Sequence, residues 1–162
     1  MVRSMLSTLP WAAVLAGVGG MTWWLLSREM GAGRWLFAAL LVAHGLVHLL
    51  FLVPSPAAGA EGGPGWPFDL ERSWAAVRLG LGSGAVHAIA LVLIAVTIGA
   101  FALAGLATAG ILVPAAGWGP LVAVGSIVSL CLLVLALSPQ LVLGIGLDVL
   151  LLWLVAVGTW RP

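Results

Sequence analysis

Lysine and tyrosine are absent from this chain, cysteine occurs once, and charged residues make up 7% of its 162 residues. Each shortage excludes something. A soluble domain covers itself with roughly a quarter charged residues, so this supply cannot clothe a water-facing surface. Without lysine, and with a formal net charge of +1, there is no dense basic patch of the kind a nucleic-acid partner needs. With only Cys131, no intrachain disulfide can form, and a cysteine inside an apolar run reads as a small packing residue. The G-x-S-x-G elbow, the P-loop, the dinucleotide fingerprint and H-E-x-x-H are missing as well, which removes the commonest catalytic vocabularies.

What is abundant is apolar sequence: 63% of the residues are hydrophobic and nine are tryptophan. Apolar runs of 18 or more residues that are nearly free of charge are the mark of membrane-spanning helices. Tryptophan collects at the membrane–water boundary, where ring and N–H each find a suitable neighbour. The pattern predicts an all-α integral membrane bundle, a single domain over residues 1–162, with helices over about 9–26, 35–53, 78–104, 121–137 and 141–160. The first of these has a hydrophobic stretch longer than a signal peptide's and no small-residue cleavage site, so it is read as a spanning helix. Pro54 and Pro56 stop the second. Residues 54–77 form the one substantial extramembrane segment, and its Trp66–Trp74 part, rich in aromatics and charge, is expected to lie along the interface. The glycine- and proline-rich stretch up to Pro120 reads as a turn, as does Ser138-Pro139-Gln140. Small-xxx-small pairs at Ala13/Gly17, Gly80/Gly84 and Ala100/Ala104 are candidates for close helix approach. Three arginines fall on each side of such a bundle, so the positive-inside rule gives a tie; the short Arg28/Arg34 link, which carries little acid, is read as the cytoplasmic side.

All three histidines, His44, His48 and His87, fall within these helices, and so does one acid, Asp148. An ionisable group at membrane depth costs about 2.5–3.5 kcal/mol for a central Asp, so such groups are functional candidates by default. The second helix ends, and the third and fifth begin, on one side of the membrane. His44 lies nine residues before Val53, His87 nine after Arg78, and Asp148 eight after Gln140. At 1.5 Å per residue these three sit about 12–14 Å below one surface, with His48 one turn nearer to it. Depth is legible in this way and rotation is not. Four readings are compatible with the group. His44, His48, His87 and Asp148 could hold a transition metal ion, since an i, i+4 histidine pair suits zinc. Two histidines could clamp a haem-like tetrapyrrole between helices. The group could relay protons, or its members could be hydrogen-bonded packing residues. Ser73, Ser83, Thr97 and Ser126 read as interhelical hydrogen-bond donors.

The run Ala43-His44-Gly45-Leu46-Val47-His48-Leu49-Leu50-Phe51 resembles a group of small bacterial multi-pass membrane proteins of uncharacterised function that carry an H-G-L-x-H-L-L helix motif. Those proteins share a late helix pair joined by a short serine-containing turn, similar to Leu137-Ser138-Pro139-Gln140. The resemblance covers residues 35–160. It implies a core of the second to fifth helices, with the 9–26 helix an addition, and it places His44 and His48 in the group's pattern without bringing an activity. The combined expectation is a small binding or accessory protein of a bacterial cytoplasmic membrane that holds a metal ion or cofactor at the His/Asp cluster. It would sit in the lipid bilayer with other membrane subunits or as a homo-oligomer. A structural subunit of a larger complex is the alternative, and a metal-dependent membrane enzyme the more distant one.

Overall fold

The computed structural model describes residues 31–53, 67, 68, 70 and 74–158. The expected 9–26 helix, the Ala13/Gly17 pair and most of the 54–73 segment lie outside the described residues. Within them the protein is an all-α bundle: α1 (Gly31–Val47), a short α2 (Trp74–Leu79), α3 (Ser83–Ala109), α4 (Trp118–Leu135) and α5 (Val142–Val157). Among the described residues four helical stretches, Gly31–Leu52, Ser83–Ala109, Ala115–Leu135 and Pro139–Val157, are long and apolar enough to cross a membrane. Each of these packs against the next in chain order, α1 on α3, α3 on α4 and α4 on α5. The bundle is membrane-embedded by length and composition, and half-exposed Leu91, Val92, Ile127, Val134 and Val149 are apolar surface suited to lipid.

Several boundaries differ from the sequence expectation, each for a local reason. The α geometry of the first span gives way at His48 to a 3-10 turn, His48–Leu52. There the His48 ring Nδ1–H reaches the His44 carbonyl at 3.1 Å, the acceptor that an α-helix assigns to the backbone N–H of residue 48. The expected 78–104 helix is two helices, because Gly80 adopts a left-handed φ of +62°, which glycine tolerates and which ends α2. Its second part continues five residues beyond Ala104, to Ala109. Pro120 lies inside the first turn of α4, where a missing N–H breaks no helical bond, so that helix starts at Trp118 rather than after the proline. The Ser138-Pro139-Gln140 turn forms as expected and runs through a 3-10 turn, Pro139–Leu141, into α5.

Close approach of backbones is provided by glycines other than most of those expected. A Cβ built at Gly105 would lie 2.8 Å from Val42 and 3.0 Å from the Ala38 carbonyl oxygen, and one at Gly45 would lie 3.0 Å from the Phe101 Cβ; α1 and α3 are thus in contact through these two glycines. A Cβ at Gly125 would lie 3.2 Å from three ring atoms of Phe101, and one at Gly144 would lie 3.0 Å from Leu133. Gly84, by contrast, has open space around it, whereas Ala100 and Ala104 are buried as the spacing suggested. The Phe101 ring, fully buried, fills the middle of the bundle with Leu41, Val122 and Leu151. A second apolar group, containing Phe51, Leu70, Ile94 and Leu132, closes the side on which α1 ends.

Gly105→Ala is expected to destabilise the bundle by about 1–3 kcal/mol, because the new methyl meets a backbone carbonyl that cannot step aside. Gly84→Ala should stay within about 0.5 kcal/mol of wild type. Reversible unfolding of the two variants in detergent checks this; equal stabilities would contradict the packing described.

Candidate functional site

Three helices place polar side chains at one level in this apolar interior. His44 stands on the last turn of α1 and His48 opens the 3-10 turn after it. Ser129 is on α4 and Asp148 on α5. His48, Ser129 and Asp148 are buried almost completely, and His44 retains 9% exposure. The opposed register of α4 and α5 brings Ser129 against Asp148, just as it brings Leu133 against Gly144.

The four side chains form one continuous chain of hydrogen bonds. His44 Nε2 lies 2.9 Å from Asp148 Oδ1. The other carboxyl oxygen, Oδ2, is 2.5 Å from the Ser129 hydroxyl, and that hydroxyl is 2.8 Å from His48 Nε2. The His48 ring then returns to α1 by donating from Nδ1 to the His44 carbonyl, closing the path. Two edge contacts of the His44 ring fix its orientation: the Phe101 ring at 4.9 Å and 74°, and the His48 ring at 5.5 Å and 89°. The network also ties α1 to α5, whose backbones are not extensive packing partners. An isolated carboxylate in such surroundings is very unfavourable, whereas a carboxyl with both oxygens hydrogen-bonded is acceptable.

Of the four residues singled out in the sequence, the fold unites three. His44 and Asp148 are in direct contact, and His48 joins them through Ser129. His87 is on the exposed face of α3, where its Nδ1 donates to the Ser83 carbonyl of its own helix at 3.0 Å. Among the described residues no group of three or more His, Cys, Asp or Glu is gathered as a metal ion would need. Both nitrogens of His48 and one nitrogen of His44 already have hydrogen-bond partners, so this arrangement does not fit the expected ligand set.

Ser129 is the residue that sequence reasoning missed. The signal was present: it stands nine residues before Ser138 while Asp148 stands eight after Gln140, which sets the two at equal depth on either side of a tight turn. Two of the hydroxyls named instead, Thr97 and Ser126, are fully buried but have no hydrogen-bond partner among the described residues.

On the side where α1 ends, the network is roofed by aromatic and aliphatic groups. Phe51 lies under His48 at 6.3 Å and is met by Phe68 edge-on at 5.0 Å; buried Leu70 packs beside it. On the other side Phe101, Leu41, Val122 and Leu151 are fully buried, and the buried hydroxyls of Thr97 and Ser126 beside them make no hydrogen bond among the described residues that would extend the path.

Compared with protein families, curated proteins and solved structures, the chain matches none, so a functional reading rests on the geometry.

His44→Ala is expected to destabilise the protein by about 1–3 kcal/mol, since it leaves one oxygen of a buried carboxyl without its donor. His87→Ala should change stability by less than about 0.5 kcal/mol. Thermal unfolding of both in detergent is the check, and comparable losses in the two would contradict the placement of His87 outside the network.

Proposed function

We propose that this chain is a small accessory protein of a bacterial cytoplasmic membrane whose His44–Asp148–Ser129–His48 network is a proton-binding site that couples proton occupancy to the packing of α1, α4 and α5. The observation that carries the reading is the unbroken hydrogen-bonded path through four side chains on three helices. Imidazole is the side chain that exchanges protons near neutral pH, and a carboxyl joined to it through a hydroxyl gives the proton two ends to occupy. The apolar plug around Phe101 on one side argues against free conduction and for a site that binds and releases protons from one side. Removing or adding a proton changes which of these bonds can form, and one of them, His44 to Asp148, links α1 directly to α5. The metal or tetrapyrrole reading finds less support, because His87 faces away and the remaining histidine nitrogens are largely occupied. In the proposed setting the exposed apolar faces meet lipid and larger membrane subunits, on which the proton-dependent movement would act.

Spin labels on the ends of α1 and α5, in protein reconstituted into vesicles, test the reading. The interlabel distance is expected to differ between pH 6 and pH 9 in wild type and to be unchanged in Asp148→Asn. A distance that ignores pH, or that responds equally in the variant, would reduce the network to a structural brace.

A further inference from the structure

The hydrogen bonds of the network can be counted against the protons available to make them. Four contacts lie in series: His44 Nε2 to Asp148 Oδ1, Asp148 Oδ2 to Ser129 Oγ, Ser129 Oγ to His48 Nε2, and His48 Nδ1 to the His44 carbonyl. Each needs one proton between its two heavy atoms, because two facing lone pairs repel. A backbone carbonyl only accepts, so the His48 Nδ1 carries a proton. A neutral imidazole has a single N–H, which leaves His48 Nε2 an acceptor. It therefore takes the Ser129 proton, and Ser129, with one hydrogen, then has none to give to Asp148. Ser129 and the two neutral imidazoles supply three protons, an ionised Asp148 supplies none, and the fourth contact stays unfilled.

We infer that the closed network retains one proton beyond the complement of two neutral histidines and an ionised carboxylate, shared along Asp148–Ser129–His48. This inference rests on the proton-site reading and makes it specific. Two placements satisfy all four contacts. In the first, Asp148 is a carboxylic acid that donates from Oδ2 to Ser129, while Ser129 donates to His48 Nε2. In the second, Asp148 is ionised and His48 is doubly protonated, with Ser129 donating to Asp148. They interconvert by a double transfer: the Asp148 O–H bond and the old Ser129 O–H bond break as a new Ser129 O–H bond and a His48 Nε2–H bond form. No proton is gained or lost, and no co-reactant is needed. Either way the cluster is neutral as a whole, the state a low-dielectric interior favours over an isolated negative charge. The uncharged first placement avoids separating two buried charges and is the expected resting form.

The groups facing the network bear this out. From α1 and the 3-10 turn after it they are His44 and His48, from α5 Asp148, and from α4 the Ser129 hydroxyl. On α3 the fully buried residues around this level include Thr97 and Phe101, neither of which brings a charge. Arg34 is engaged elsewhere, with its Nε on the Thr108 carbonyl, and Arg78 is exposed on α2. Among the described residues, therefore, no cation stands within the network to replace the retained proton.

Two measurements on the full chain in detergent or lipid test this. The first is infrared spectroscopy at pH 7.5, comparing wild type with Asp148→Asn, Ser129→Ala and Ser126→Ala. A carboxylic acid carbonyl band is expected in wild type and Ser126→Ala and should be lost in Asp148→Asn. Ser129→Ala should keep a carboxylic acid band, moved to higher frequency because Oδ2 loses its hydroxyl partner, since a buried carboxylate with one oxygen unpaired is still less favourable than the acid. A doubly protonated His48 in place of that band, seen by nitrogen resonance, would support the same count. An ionised Asp148 beside two neutral imidazoles would overturn it. The second is the pH slope of unfolding between pH 7 and 8. The two histidines of the unfolded chain are each about a quarter protonated at pH 7 and nearly neutral by pH 8, so the folded state holds from about half to nearly one extra proton; stability falls as pH rises, and the unfolding constant increases about sixfold over the interval. The chain has no lysine or tyrosine to blur this, and replacing Cys131 by alanine removes its thiol from the comparison. A flat slope in a well-folded Cys131→Ala protein would overturn the inference. The retained proton and the helix movement proposed above can fail separately, since a proton can be held without α1 and α5 moving.

Discussion

A carboxyl group in a medium without water sets the terms for the rest of this structure. Asp148 is fully buried, and every nearby feature can be understood as meeting its needs. Ser129 and His44 take one oxygen each. His48 completes the far side of Ser129 and then bends back onto its own helix. The cost of that last bond is visible in the backbone, where α1 tightens into a 3-10 turn. The close α1–α3 contact at Gly45 and Gly105 and the cleft left by Gly125 bring Phe101 beneath the His44 ring and hold the ring in place. Small residues and polar residues thus act together: the glycines allow the helices to approach, and the polar chain fixes how they are rotated.

Much of the fold was legible in the sequence because membranes reduce folding to few choices. Where every backbone polar group must be satisfied internally, long apolar runs can only be helices, and prolines and glycines mark their ends. The departures came where a single residue's conformation decided the matter: Gly80 splitting one helix in two, Pro120 accepted in a first turn, and a histidine side chain competing for a backbone carbonyl. None of these changes hydropathy, so hydropathy could not reveal them.

The candidate site was legible in depth and illegible in rotation. Counting from the turns placed His44 and Asp148 at one level, and they are in contact. The same count placed His87 there too, yet it is on the outer face of α3, since nothing in α3's evenly apolar sequence tells which face is inward. Ser129 was within reach of the same arithmetic, but a serine carries no charge to draw notice in a background of alanine, glycine and leucine. The packing glycines were hidden for a similar reason: with 22 glycines in the chain, a four-residue spacing occurs on every face.

The most direct test is a magic-angle-spinning NMR correlation in lipid bilayers between the side-chain nitrogens of His44 and His48 and the side-chain carbons of Asp148 and Ser129. Cross-peaks from His44 Nε2 to the Asp148 carboxyl carbon and from His48 Nε2 to the Ser129 Cβ, with His48 Nδ1 protonated, are the predicted result. An Asp148 carboxyl with no histidine neighbour, or a His48 ring whose Nδ1 bears no proton, would contradict the network on which this account of the protein depends.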